Sequence, residues 1–215
     1  ASTISGSTDR QNGGFRWYGS IPSFEFSVGG LYQGGTFQDQ SNGTRRPVRA
    51  YAFNTIAGYR DPTSRWHPFL GVQADIYSGG NADSRSGAIG TYIAPFNPQT
   101  NYLDTTTYFA PSNLVSISPV LRTTPLPYIS VQFKAPFLWR ETTRDELYSP
   151  SGRYAFSLPG GGHYIGAVPQ ASLTWQIGRH LSWPQYGAHV FMSGRMPRAG
   201  GRGGSYYQSH FVFRV

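Results

Sequence analysis

Cysteine is absent from the 215 residues of this chain. Its absence excludes disulfides and thiolate metal sites and fits a chain that crosses an oxidising compartment. Lysine is almost absent as well. Lys134 is the sole lysine among 18 basic residues, and the rest are arginines, the side chain suited to a bidentate grip on carboxylate or phosphate. No run of ~18 apolar residues occurs, so the sequence holds no transmembrane helix. The opening residues ASTISGSTDR lack the basic-then-apolar pattern of a secretory leader, so any leader has been removed or was never part of this sequence. Acidic residues are scarce, 10 in all, and the formal net charge is +8. What is plentiful is glycine, proline and aromatics: 27 Gly, 16 Pro, 15 Tyr, 14 Phe and 5 Trp. The glycines and prolines argue against long helices. A basic soluble nucleic-acid binder would account for the charge but not for the aromatics.

The hydrophobic pattern has a period of two, the mark of a strand with unlike faces. Leu70, Val72, Ala74 and Ile76 alternate with Gly71, Gln73, Asp75 and Tyr77. The clearest run sets Ile129, Val131, Phe133, Ala135, Phe137 and Trp139 against Ser130, Gln132, Lys134, Pro136, Leu138 and Arg140. Ile165, Ala167, Ala171, Leu173, Trp175 and Ile177 alternate with Gly166, Gln170, Ser172, Thr174 and Gln176, and Tyr207, Phe211, Phe213 and Val215 with Gln208, His210, Val212 and Arg214. Weaker runs cover 15–21, 23–37, 46–60, 113–122 and 181–192. The pattern predicts about nine strands, several near the ~9–11 residues a tilted strand needs to cross a bilayer.

The connections alternate in length. Those at 21–23, 61–64, 123–126 and 178–180 are tight, whereas 38–45, 78–111, 141–162 and 193–205 are long and polar. Short turns at one end and long loops at the other are the habit of outer-membrane barrels, with the short turns periplasmic. A soluble sandwich has no reason to segregate its loops. In "LWRETTRDELY" the apolar run stops at Trp139 and the chain turns charged. A Trp at the rim of the hydrocarbon layer, followed by a chain in water, reads that way. Trp66, Trp175 and Trp183 fall near strand ends on the short-turn side, and these four are the candidate membrane-interface aromatics.

From Ser23 onward the sequence resembles the alginate-export family of outer-membrane β-barrels. The resemblance is carried by "FLWRETTRDELYSPSG", with Asp145 and Tyr148 after an aromatic–Trp–Arg segment, and by "YIGAVPQASLTWQIGRHLSWPQYGAHVFMSG", similar to the family's penultimate hairpin. "FLGVQADIYSGG", "VGGLYQGGTF" and "APSNLVSISPVL" resemble further strands in the same order. The resemblance implies an antiparallel channel of roughly eighteen strands whose lumen passes an acidic polysaccharide or another anionic solute. Two departures stand out: the chain is about half the length such a barrel needs, and it ends in Val215, where outer-membrane proteins usually end in Phe.

An even-stranded barrel has both chain ends on one side. Counting back from a C-terminal strand that follows a long loop places the first residue on the long-loop side instead. The expectation is therefore an all-β, antiparallel transmembrane barrel of which residues 1–215 form the C-terminal part, with no separate second domain. An open sheet cannot leave its edges in lipid, so an N-terminal fragment, another chain or symmetric copies would close it. A miscounted weak strand, at 15–21 or within 78–111, is the alternative.

On the lumen face the alternation places Gln73, Asp75, Arg122, Lys134, Arg140, Gln170, Gln176, His189, His210 and Arg214, with Glu25 and, less firmly, Arg49. Cations outnumber acids there, and a ring of Arg and Lys is how a pore prefers anions. The plain counter-reading is polar side chains that keep water in the lumen or pair with one another. Signals for an enzyme are poor: Asp145 and Glu146 are adjacent in a loop rather than opposed across a cleft, and the five histidines have no metal-ligand spacing. Ser151 and Ser157 lack a nearby His in a nucleophile elbow, and the Gly-rich stretches "LPGGGHY" and "RAGGRGGSY" do not join a strand to a helix as phosphate loops do. "RAGGRGG" also resembles a short Arg-Gly RNA-binding box, too brief to carry a nucleic-acid reading. The expectation is a channel of the bacterial outer membrane, not an enzyme, with no cofactor or metal, contacting outer-membrane lipid and an anionic solute or polysaccharide. A non-transporting barrel that anchors a surface assembly and a soluble all-β carbohydrate-binding sandwich are the competing readings.

Overall fold

The computed structural model describes residues 6–81, 86–95, 108–149, 155–156, 162–193 and 202–214. Its strands are β1 (Gly6–Ile21), β2 (Phe24–Asp39), β3 (Arg45–Arg60), β4 (Phe69–Tyr77), β5 (Leu114–Leu126), β6 (Ile129–Lys134), β7 (Phe137–Trp139), β8 (Leu147–Tyr148), β9 (Ala155–Phe156), β10 (Tyr164–Ala167), β11 (Gln170–Gln176), β12 (Leu181–Met192), β13 (Gly204–Ser209) and β14 (Val212–Phe213). All but β8 and β9, which pair with each other, belong to one 12-stranded antiparallel sheet. β6 and β7 both lie beside β5; β10 and β11, and likewise β13 and β14, all lie beside β12. Each of those pairs is a single stave with an interruption, so the sheet has nine staves side by side in chain order, the number the alternation implies.

Proline explains where staves are interrupted. It cannot donate to a ladder, so it weakens pairing at its own level. Pro136 separates β6 from β7 and Pro169 separates β10 from β11, while Pro184 of β12 faces the break between β13 and β14. The carbonyl half of the ladder survives: Val168 N donates to Pro136 O at 2.9 Å, His189 N to Pro169 O at 3.0 Å and His210 N to Pro184 O at 3.3 Å. The sheet is open, with no pairing between β1 and β13–β14 among the described residues.

Three connections differ from the sequence reading, and the first is the tight turn expected at 61–64, which is an eight-residue connection, 61–68. β2 runs to Asp39 and β3 starts at Arg45, so the supposed long loop at 38–45 is a five-residue turn, 40–44. Asp39 holds it, accepting from Ser41 N at 2.8 Å and Ser41 Oγ at 2.6 Å. β5 continues through 123–126 to Leu126, and its hairpin to β6 is Pro127-Tyr128. The polar Thr123-Thr124 pair looked like a turn, but pairing with β6 across Thr123 to Leu126 overrides local preference.

The outward face is apolar and exposed: Phe15, Trp17, Phe24, Leu70, Val72, Ile117, Leu121, Phe133, Phe191, Phe211 and Phe213 all lie on it. A soluble sandwich buries such a face against a second sheet. Here the buried residues sit on the other, concave side, and aromatics gather toward both ends of the outward side. Trp175 and Trp183 lie 6.2 Å apart, Trp183 stacks on Phe211 at 5.4 Å, and at the opposite end Trp139 lies 5.7 Å from Tyr164. Trp66 is exposed in the turn between β3 and β4, whose carbonyl takes Thr124 N at 2.8 Å.

β1, β2 and β3 each have 16 residues, about 50 Å of extended chain, whereas β4 has 9 and ends at Tyr77 opposite Ala52. Beyond that level β3 has no stave on its β4 side, and the loop after β4 takes its place. Arg49 N donates to Ile89 O at 2.9 Å and Ile89 N to Pro47 O at 2.8 Å. The loop then crosses the inner face of β2 and β1. Gln33 meets Ile93 through both amide groups at 2.6 and 3.1 Å, and Arg10 donates to Thr91 O at 3.0 Å. Under this loop lies the core: Ala50, Ala52, Tyr77, Leu114, Leu138, Ile165, Val168 and Val190 from the staves, with Tyr92, Phe109 and Leu147 from the loops. Ile165 reaches it because the register slips between Tyr164 and Gly166, a bulge that turns an extra residue inward. Strict alternation would have sent it out with Ala167.

Candidate functional site

The concave face divides into two levels. At the long-loop end it is filled by the loops just described. Toward the short turns it is open and lined by alternate side chains of the staves. The open level holds two charge clusters. Glu25 of β2 pairs with Arg60 of β3 and accepts from Arg122 Nη2 of β5 at 2.6 Å. The Arg122 guanidinium also lies 4.0 Å from the centre of the Phe69 ring, a cation–π contact. Four residues beyond the level of Glu25, Asp75 accepts from Asn54 Nδ2 and Gln73 Nε2, each at 2.8 Å. Lys134 stands close enough to Asp75 for direct attraction between their charges. Around these clusters is a hollow of about 630 Å³ that also takes in Arg16 and Gln132.

Farther along the sheet the lining changes character. Gln132, Gln170, Ser172, Tyr186, Gln208 and His210, with Lys134 at the margin, surround a hollow of about 450 Å³. Strand register places them together: Gln132 pairs with Ser172, Ser172 with Tyr186, and Tyr186 with Gln208. Gln176 lies on this face at the turn, but its amide donates to Gly178 O at 2.6 Å. Alternation from Val212 places Arg214 on this face too, at the exposed short-turn rim.

Three residues expected on an open lumen are elsewhere. Arg140 is inward but only 2% exposed, beneath the loop after β7. Its guanidinium donates to Gly162 O at 2.6 and 3.0 Å and to Asp145 O at 3.3 Å, so it anchors loop backbone instead of meeting a solute. His189 points outward. Its register partner is Ser205, whose Oγ lies 2.8 Å from Nδ1, and its ring lies 4.3 Å from the outward Phe191. The polar type of His189 suggested the lumen, but Gln170 and Ser172 fix the inward set of β12 as Tyr186, Ala188 and Val190. Arg49 also faces out, since Val48 and Ala50 on either side are the buried inward residues.

The loops are joined by polar side chains that no composition rule singles out. Asp145, 3% exposed, accepts four hydrogen bonds: from Gly80 N and Thr91 Oγ1 at 2.6 Å, Tyr148 Oη at 2.7 Å and Glu146 N at 2.9 Å. Burial and the Asp145 charge push the Tyr148 hydroxyl far above the usual tyrosine range, so it stays a donor. Asn113, at a positive φ of 48°, donates to Thr142 O and Glu146 O at 3.0 Å and accepts Thr142 N at 2.8 Å. Asp145 was read from the sequence as part of the family resemblance and as an unpromising catalytic residue; its role as a loop junction appears once two distant loops meet. Gln132 and Gln208 were legible in principle, because each has the same strand parity as a residue already placed inside (Lys134 and His210); Tyr186 was not, because the one residue of its strand placed inside, His189, has the opposite parity. No cluster of three or more His, Asp or Glu poised for a metal occurs among the described residues. Ser151, Ser157 and half of the two Gly-rich stretches lie outside the described residues.

The all-antiparallel nine-stave sheet, apolar outside and polar within, has the form of a barrel wall. A family model described as alginate export matches residues 2–210. The chain belongs to the alginate export family. That family is one of outer-membrane transport and channel proteins concerned with polysaccharide export, not of enzymes. No curated protein matches the sequence.

Proposed function

We propose that this chain forms wall of a bacterial outer-membrane channel that passes an acidic polysaccharide or a similar anionic solute. The observation that supports this most is the opposition of the two faces: exposed aromatic and aliphatic side chains outside, and inside an open level where Arg16, Arg60, Arg122 and Lys134 outnumber Glu25 and Asp75. Surplus cations favour anions, and their partial pairing tempers each one. An anion then meets several weak partners rather than one trap, as conduction requires. The long-loop end would be extracellular and the short turns periplasmic. The two open edges require closure in lipid, by an N-terminal fragment or another chain.

Planar-bilayer recording of the protein extracted from outer membranes tests the reading. Lys134→Glu with Arg16→Glu is expected to move the reversal potential in a salt gradient toward cation preference, with a smaller shift at high salt as screening shortens each charge's reach. Unchanged selectivity would remove the anion reading. A second reading, a non-conducting barrel that anchors a surface assembly, draws on the loops packed against the upper inner face; absence of any conductance would favour it.

A further inference from the structure

The neutral hollow between β6 and β13–β14 differs from the charged clusters in a way the channel reading does not require. In the charged level, polar side chains engage one another: Glu25 with two arginines, and Asp75 with Asn54 and Gln73. In the neutral hollow, Gln132, Ser172, Tyr186 and His210 have no side-chain hydrogen-bond partner among the described residues, and Gln208, whose Oε1 accepts from Tyr206 Oη at 2.8 Å, keeps its amide N–H groups for a ligand. They converge from four different staves on a space of about 450 Å³, within the range of small-ligand sites, ~300–1,000 Å³. One wall of the space is aromatic: the Tyr186 and His210 rings are nearly parallel, 16° apart, with centroids 6.3 Å from each other. Amides and hydroxyls that donate and accept, around an aromatic surface whose negative face attracts C–H groups, match one chemistry: a pyranose ring.

We propose that this hollow is a binding subsite for the uncharged face of a sugar ring. The ring's C–H face lies on Tyr186 and His210, and its hydroxyls meet Gln132, Ser172 and Gln208. The subsite deepens the channel reading and rests on it for biological meaning, but its proposed contacts are neutral side chains, with Lys134 only at the margin. A polysaccharide would be held by its rings on this side of the wall and by its carboxylates on the β1–β6 side. The contribution of the rings would survive salt, whereas that of the carboxylates would not.

The test is equilibrium binding to the full chain in detergent, at high salt, of a neutral β-1,4-linked mannose hexasaccharide, read by saturation-transfer NMR. Saturation of ring C–H protons is expected, with affinity reduced about two- to tenfold in Gln208→Ala, the loss of one neutral hydrogen bond. Tyr186→Ala should abolish the transfer and Tyr186→Phe retain most of it; Arg16→Ala, on the charged side, should leave it unchanged. Heat-modifiable gel migration checks folding, and if Tyr186→Ala does not fold, Gln208→Ala and Tyr186→Phe decide. No transfer to the wild type, or transfer indifferent to Tyr186 and Gln208, overturns the subsite. An anion-selective conductance alongside that negative result would leave the channel reading standing, whereas neutral-sugar binding without conductance would do the reverse.

Discussion

The inner face of this sheet carries two environments on the same staves. Along the stave formed by β6 and β7, Gln132 is part-exposed beside a hollow and Lys134, 8% exposed, lies at its margin with no loop over it among the described residues, whereas Leu138 and Arg140 are 1% and 2% exposed under loops. The inward direction is the same; what differs is whether a loop covers it. The staves β1–β3 outreach β4, so loop 86–95 finds free backbone and inward polar groups to dock on, and the apolar side chains beneath it become a core. Nearer the short turns no loop among the described residues reaches, and the inward side chains are mostly polar. One barrel wall thus supports an upper layer packed under loops and a lower one bordered by hollows.

The largest effect should come from exchanging the two environments. Leu138→Arg places an unpaired cation among Leu114, Leu147, Ile165 and Val168 and should prevent correct assembly, while Leu138→Ala should cost ~2–5 kcal/mol. Gln132→Arg, six residues away on the same face, should assemble normally. Urea midpoints and heat-modifiable migration would show it; equal tolerance at the two sites would mean the upper level is no core. Asp145→Ala is expected to rank second. It leaves buried donors from two loops unpaired, at ~1–3 kcal/mol for a stranded group. Limited proteolysis should then cut within 86–95 while the staves near the short turns stay protected. If cleavage is unaltered, Asp145 does not fasten the upper layer.

The smallest effect belongs to the opposite end. Asp61, in the exposed β3–β4 turn, accepts from Thr63 Oγ1 at 2.7 Å and Thr63 N at 2.9 Å. The Thr63 hydroxyl, then its N–H, hold the carboxyl below its ordinary range. A depressed folded-state value means stability that is present above the ordinary carboxylate pKa of about 4 and fades as pH falls through the folded value. Asp61→Asn should therefore lower the unfolding midpoint slightly at neutral pH, and the difference from wild type should vanish in acid. A gap that persists below pH 3 would show that the turn is held by something other than the charge.

Period-two alternation, the number of staves and the outward aromatics were legible from residues alone, because a strand's two faces meet different media and composition records that directly. Leu70, Val72, Phe133 and Trp139 point out for that reason, and Gln73, Asp75, Lys134 and Gln170 point in. Alternation erred where local geometry breaks parity or where a polar residue was taken as evidence of direction: Ile165 turned inward at a bulge, and His189 faces outward beside Phe191. It also could not tell an inward residue in water from one under a loop. Arg140 and Lys134 share a face and a sign, and only the fold of a loop more than forty residues away in the chain, together with the segment after β7, separates a loop anchor from a residue that borders a hollow. Sequence thus determined which way most side chains face, since that depends on each strand's own neighbours. Tertiary structure decided what they face, since that depends on where long connections, with no periodicity to read, find unpaired backbone to bind.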